Sequence, residues 1–287
     1  MTRRTWIPTR LRALSSACIV LTTVSLLGGC AAHRPPPPIA GVVWQVSLAT
    51  TDPVGQWDRL GARELLVQWM VVDDTAFLPG LPGHRADAAP DWDRIASEPW
   101  AERVIVGLVG RSSEREARAD VAGLAARSAE LARRPMPVAV SGWYFPVEVD
   151  PSWQGAADLG PLLADLPRPL WLSVYDRQNI GPEAFADWLE TWVPADVGIL
   201  FQDGVGEHVR GPAAARDYFT SMERRLGRHR VGMIAEAFRP AGNGRFRGAT
   251  ADELRAQLDH YRDVRLYLFD GPHYVPDEVV AALLGGA

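Results

Sequence analysis

Two glutamates carry the chemistry this sequence could perform. Glu148 lies just past an apolar run that ends in SGWYFPVE, and Glu236 lies inside the apolar stretch RVGMIAEAF. A carboxylate among apolar strand residues is costly to bury unless it is paired or put to use. Two carboxylates facing one bound bond are what glycoside hydrolysis requires, one as a protonated acid at the leaving oxygen and one as nucleophile or base. Glu148 is therefore expected as general acid/base and Glu236 as nucleophile or electrostatic stabiliser. Asp176 in YDRQN and Asp203 in FQDGVG would bind hydroxyls or tune those two groups, and Gln202, Asp270 and His273 occupy similar places. Trp69, Trp143, Tyr144 and Tyr175 are the candidates for stacking on the apolar CH face of a pyranose ring.

These residues share one feature, which is position at the end of an apolar run. There are eight such runs, at 42–48, 64–72, 103–109, 137–145, 169–175, 197–202, 230–238 and 264–269. None alternates cleanly, so each reads as a strand buried on both faces, as parallel strands are. Helical segments separate most of them, at 112–134, 181–192, 211–228, 250–263 and 275–284, with a short first helix at 52–62. Thr250 and Glu253 have capping-box spacing. The stretch 73–100 reads as a long loop with one helical turn near 91–97, and 239–250 as a mobile loop over the site. Eight alternations over about 245 residues predict a single (β/α)8 barrel rather than a doubly wound open sheet. Barrel sites lie at the C-terminal ends of the strands, which brings the fourth and seventh, and so Glu148 and Glu236, to opposite sides of one mouth.

Composition removes other chemistries. All 30 basic residues are arginine, so no Schiff-base or P-loop lysine exists. The six histidines are scattered without metal-ligand spacing, and neither a metal nor another cofactor is expected. The formal charge is −5, and without the four arginines of the first 29 residues it falls to about −9, which argues against nucleic acid.

The N-terminus predicts an export address. A positive region is followed by ALSSACIVLTTVSLL and then LLGGC, with small residues before Cys30. This pattern is similar to the lipobox of bacterial lipoproteins, and residues 1–29 are expected to be a signal peptide with Cys30 as the lipidated first residue. Residues 30–40 form a proline-rich tether and 41–287 the barrel. Alanines after Cys30 imply the outer membrane, facing periplasm or cell surface. The segment is too short to span a bilayer on its own.

GWYFPVE, LFQDGVGEH, AEAF and LFDGPHY together resemble a bacterial family of unknown function with glycoside-hydrolase-like barrels, many of them exported. The resemblance spans residues 41–284 and would map recurring positions to Tyr144, Glu148, Gln202, Asp203, Glu236 and Asp270. The four-and-seven placement is also similar to a large clan of barrel glycosidases, although Val147 stands where that clan usually has asparagine before the acid. The resemblance implies the barrel and a carbohydrate-related role; the expected partner is a polysaccharide, with the cell's own exopolysaccharide as the expected target. The alternative from another class is a non-catalytic carbohydrate-binding lipoprotein working with polysaccharide-secretion proteins.

Overall fold

The computed structural model describes residues 35–85 and 89–285. The leader, Cys30 and tether residues 31–34 lie outside the described residues. Eight parallel strands close into a barrel: β1 (Gly41–Trp44), β2 (Glu64–Val67), β3 (Arg103–Gly107), β4 (Val140–Val149), β5 (Leu170–Val174), β6 (Val197–Gln202), β7 (Val231–Glu236) and β8 (Leu266–Phe269). Closure is carried by β1 pairing with β8, Gly41 opposite Tyr267 and Val42 opposite Leu268. That pairing excludes the open sheet. The expected (β/α)8 architecture is the one observed.

Period-two alternation sorts the side chains of each strand. One residue from every strand fills the barrel interior: Val43, Leu66, Ile105, Tyr144, Trp171, Leu200, Ile234 and Tyr267. Two residues earlier, beneath this apolar plug, the lumen ends in a charged layer. There Glu64 takes Arg265 at 2.8 Å and Arg103 at 3.3 Å, and Arg265 lies 4.5 Å from the Trp171 ring centroid. Gly198 belongs to this layer because a Cβ there would come within 2.3 Å of the Trp171 ring. Two residues beyond the apolar plug each strand reaches the mouth, and here the types change to Gln45, Gln68, Gly107, Pro146, Ser173, Gln202, Glu236 and Phe269. The interior is thus apolar in the middle and polar at the open end.

The outer layer departs from expectation in three places. Segment 112–134 is two helices, α2 (Glu114–Ala119) and α3 (Val121–Leu131). Asp120 (φ −111°, ψ 21°) breaks the run, and its carboxylate is held by Arg111 at 2.9 Å and Arg127 at 3.1 Å. The expected first helix is only a 3-10 turn at Trp57–Leu60. Residues 239–250 are not a mobile loop. They belong to an antiparallel hairpin (Phe238–Gly242 with Arg245–Gly248) whose tip, Gly242, Asn243 and Gly244, has positive φ throughout. Glycine and asparagine are the residues that tolerate such a turn.

The remaining helices match more closely. Trp92–Ser97, Pro182–Trp192, Pro212–Leu226 and Asp277–Leu283 fall where expected. Helix Ala251–Leu258 carries the complete capping box, with Thr250 Oγ1 accepting Glu253 N at 3.2 Å and Glu253 Oε2 accepting Thr250 N at 2.8 Å. Thr250→Ala removes one half of it and is expected to cost about 1 kcal/mol. A lower denaturation midpoint at unchanged m-value would show this.

Candidate active site

At the C-terminal mouth a cavity of about 410 Å³ is lined by residues from strands around the barrel. Gln45, Gln68, Ser173, Gln202 and Glu236 come from the layer two positions above the apolar plug. Tyr144, from the plug itself, forms part of the floor and donates its hydroxyl to Ser173 Oγ at 2.7 Å. The walls are aromatic: Trp69 on one side, and Phe238, Phe246, Phe269 and Tyr274 on another. Phe238 is the centre of the second group, with ring centroids 4.7 Å from Phe246 and 5.4 Å from Tyr274.

Glu236 ends β7 and is 3% exposed. Its Oε2 accepts Glu207 N at 3.2 Å. Gly206 makes this approach possible, since a Cβ there would sit 2.7 Å from the Cβ of Glu236. Behind it Asp203 is fully buried and accepts four donors, from Val205 N, Glu236 N, Gln257 Nε2 and Tyr261 Oη. Burial pushes both acids up, and the charge of one opposes ionisation of the other. Four donors stabilise charge on Asp203, so Glu236 is the member that holds the proton.

Glu148 is delivered differently. Pro146 has no N–H for the ladder, and β4 carries two extra residues between the pairs Phe145–Leu172 and Val149–Val174. Within this bulge Glu148 turns toward the cavity, where Gln202 Nε2 donates to its Oε2 at 2.8 Å. Its backbone N–H donates to Glu114 Oε1 at 3.0 Å. Arg118 lies between the two acids, 3.0 Å from Glu114 and 3.8 Å from Glu148. Burial pushes Glu148 up against the pull of Gln202 and Arg118. Glu114 is raised to about 7, by burial first and then by the charge of Glu148. Replacing Arg118 by Met removes the one cation shared by the two acids. Both are then expected to titrate at higher pH than in the wild type, as carboxyl carbon NMR would show.

The expected site residues separate into two groups. Trp69, Tyr144, Glu148, Gln202 and Glu236 meet at the cavity. The others do not line it. Trp143 alternates outward from Tyr144 and packs on the helical layer. Tyr175 is buried behind Glu207, donating to its Oε2 at 3.1 Å. Asp176 accepts from Ile180 N and Tyr218 Oη, holding the loop after β5. Asp203 supports Glu236 from behind. Asp270 caps the short helix Gly271–Tyr274 and takes Gln45 N and His273 Nδ1, each at 2.8 Å. The site role left to these buried acids is to position loops: protein donors engage Asp203 and Asp270 and the Oδ2 of Asp176, whose Oδ1 is buried with no partner among the described residues.

Sequence reasoning missed several lining residues. Glu114 was absorbed into a helical start; as the first residue of α2 it reaches the mouth by accepting Glu148 N. Phe238 and Phe246 enter through the unforeseen hairpin. Gln45, Gln68, Ser173 and Phe269 had a usable signal, which was to count two residues on from each plug position. Gln68 also stands out because its Oε1 is buried with no protein partner among the described residues.

No family model and no curated protein matches the sequence. Among solved structures the chain is similar to a "putative alpha-L-fucosidase" from Bacteroides thetaiotaomicron, with a TM-score of 0.58 and 14% identity over 97% of each chain. At that identity the likeness is one of fold. It supports the (β/α)8 barrel.

Proposed function

We propose that the mouth cavity binds a carbohydrate and hydrolyses a glycosidic bond between Glu148 and Glu236. The observation carrying this reading is that two carboxyl groups from β4 and β7 face one aromatic-walled cavity. Their surroundings favour roles opposite to those expected from strand order. Glu236, buried beside a charged Asp203, holds a proton and is the donor to the leaving oxygen. Glu148, supported by Gln202 and Arg118, is the better carboxylate and acts as nucleophile or base. Gln68 Oε1 and the Ser173 hydroxyl are placed to meet sugar hydroxyls, and Trp69 and Phe246 to meet apolar ring faces. The LLGGC leader and the alanines after Cys30 support an outer-membrane lipoprotein, and the cell's own exopolysaccharide is the proposed substrate.

The test is release of reducing ends from a panel of bacterial exopolysaccharides. Turnover lost in both Glu148→Gln and Glu236→Gln supports the hydrolase. Binding without turnover, equal in wild type and both variants, would instead establish the non-catalytic binding lipoprotein.

A further inference from the structure

A second concavity of about 610 Å³ adjoins the first and shares Glu114 and Glu148 with it. This size lies within the ~300–1,000 Å³ usual for ligand pockets. Its character differs. The first cavity presents four carboxyl groups (Glu114, Glu148, Glu207 and Glu236) and one arginine, Arg111. The second is lined by Arg115, Arg118 and Arg177 around Trp153.

The acids in this groove are occupied. Asp150, 2% exposed, accepts Ser152 N and Oγ on one oxygen and Arg177 N on the other. Glu148 takes Gln202, and Glu114 takes Arg118. The cations are less engaged. The Arg177 guanidinium is exposed and, among the described residues, pairs with one acid, Glu207, at 3.1 Å. Arg115 is exposed and has no hydrogen-bond or ion-pair partner among the described residues.

Trp153 provides the platform. Its half-buried ring lies against Gly155, where a Cβ would come within 2.8 Å of the indole nitrogen, and Arg118 sits 5.8 Å from its ring centroid. The indole N–H has no protein acceptor among the described residues. An aromatic face beside guanidinium groups matches a sugar that carries a carboxylate: the ring face meets the CH surface and the arginines meet the charge.

We propose that this groove is a second subsite of the same cleft, taking a uronic acid unit joined to the sugar held between Glu148 and Glu236. The inference rests on the carbohydrate reading and adds the chemical class of the polymer, an acidic one.

Binding of the full chain to oligogalacturonates and oligoguluronates, to their carboxyl-reduced counterparts and to neutral oligosaccharides tests it. The acidic forms are expected to bind about tenfold tighter than the reduced ones, and less so at high salt. Arg115→Gln should cut that preference several-fold while leaving the reduced forms unaffected, and Trp153→Ala should weaken both. Arg115 is exposed, so its replacement leaves folding intact. Equal binding of acidic and reduced forms, or unchanged preference in Arg115→Gln, overturns the subsite and leaves the carbohydrate reading standing. If no saccharide of any class binds, the carbohydrate reading itself falls, and the subsite with it.

Discussion

Glu236→Gln is expected to lower hydrolysis by about 10²–10⁴-fold, the usual contribution of a positioned acid, while the fold is kept. Glutamine preserves the shape and the acceptor for Glu207 N but has no proton to give. The same substitution carries a second, independent signature. The pKa of Glu236 is raised in the folded state, so its contribution to stability is present below the ordinary glutamate range near ~4.3 and is lost as pH rises through the folded value. Glutamine stays neutral at every pH. The variant should therefore melt higher than the wild type in alkaline buffer and close to it in acid. Melting curves from pH 5 to 9 decide the point; a variant that follows the wild type throughout would show that Glu236 does not hold the proton. Activity of the wild type should fall over the same alkaline range.

Asp203→Ala should be the most destabilising single change in the site. It strands two backbone N–H groups, the Gln257 amide and the Tyr261 hydroxyl, all buried. Losing one partner of a buried charged network costs on the order of 3–5 kcal/mol, and denaturant unfolding would register it. Asp203→Asn separates charge from packing. It keeps the volume and removes the repulsion that holds the proton on Glu236, so the pKa of Glu236 drops. The alkaline limb of the pH–activity profile then moves to lower pH. An unmoved limb would remove Asp203 from the electrostatic account.

The barrel was legible because runs rich in Val, Ile and Leu are buried on two faces in a parallel sheet with helices outside, and eight of them over about 245 residues fit the closed form. Glu236 was legible for a related reason, being a carboxylate where every neighbour is apolar. Asp176, Asp203 and Asp270 misled because polarity at a strand tip does not tell which way a side chain turns. Each satisfies backbone or side-chain donors in its own loop, an outcome that depends on tertiary placement. Trp143 could have been excluded by parity, since Tyr144 beside it already points inward. Glu114 could not have been found. As the first residue of α2 it reads as an ordinary early acid of a helix, and only tertiary placement brings its carboxylate to Glu148 N.

The hairpin after β7 is tied to the barrel only near its root, where Ala249 N reaches Ala237 O at 2.9 Å and buried Arg239 reaches Gln257. Its far strand places Phe246, 45% exposed, at the cavity rim. No barrel ladder runs through residues 240–247. This makes the segment a removable cassette: its length and aromatic content can be exchanged to reshape the cavity rim, leaving the strands that hold Glu148 and Glu236 as an unaltered chassis.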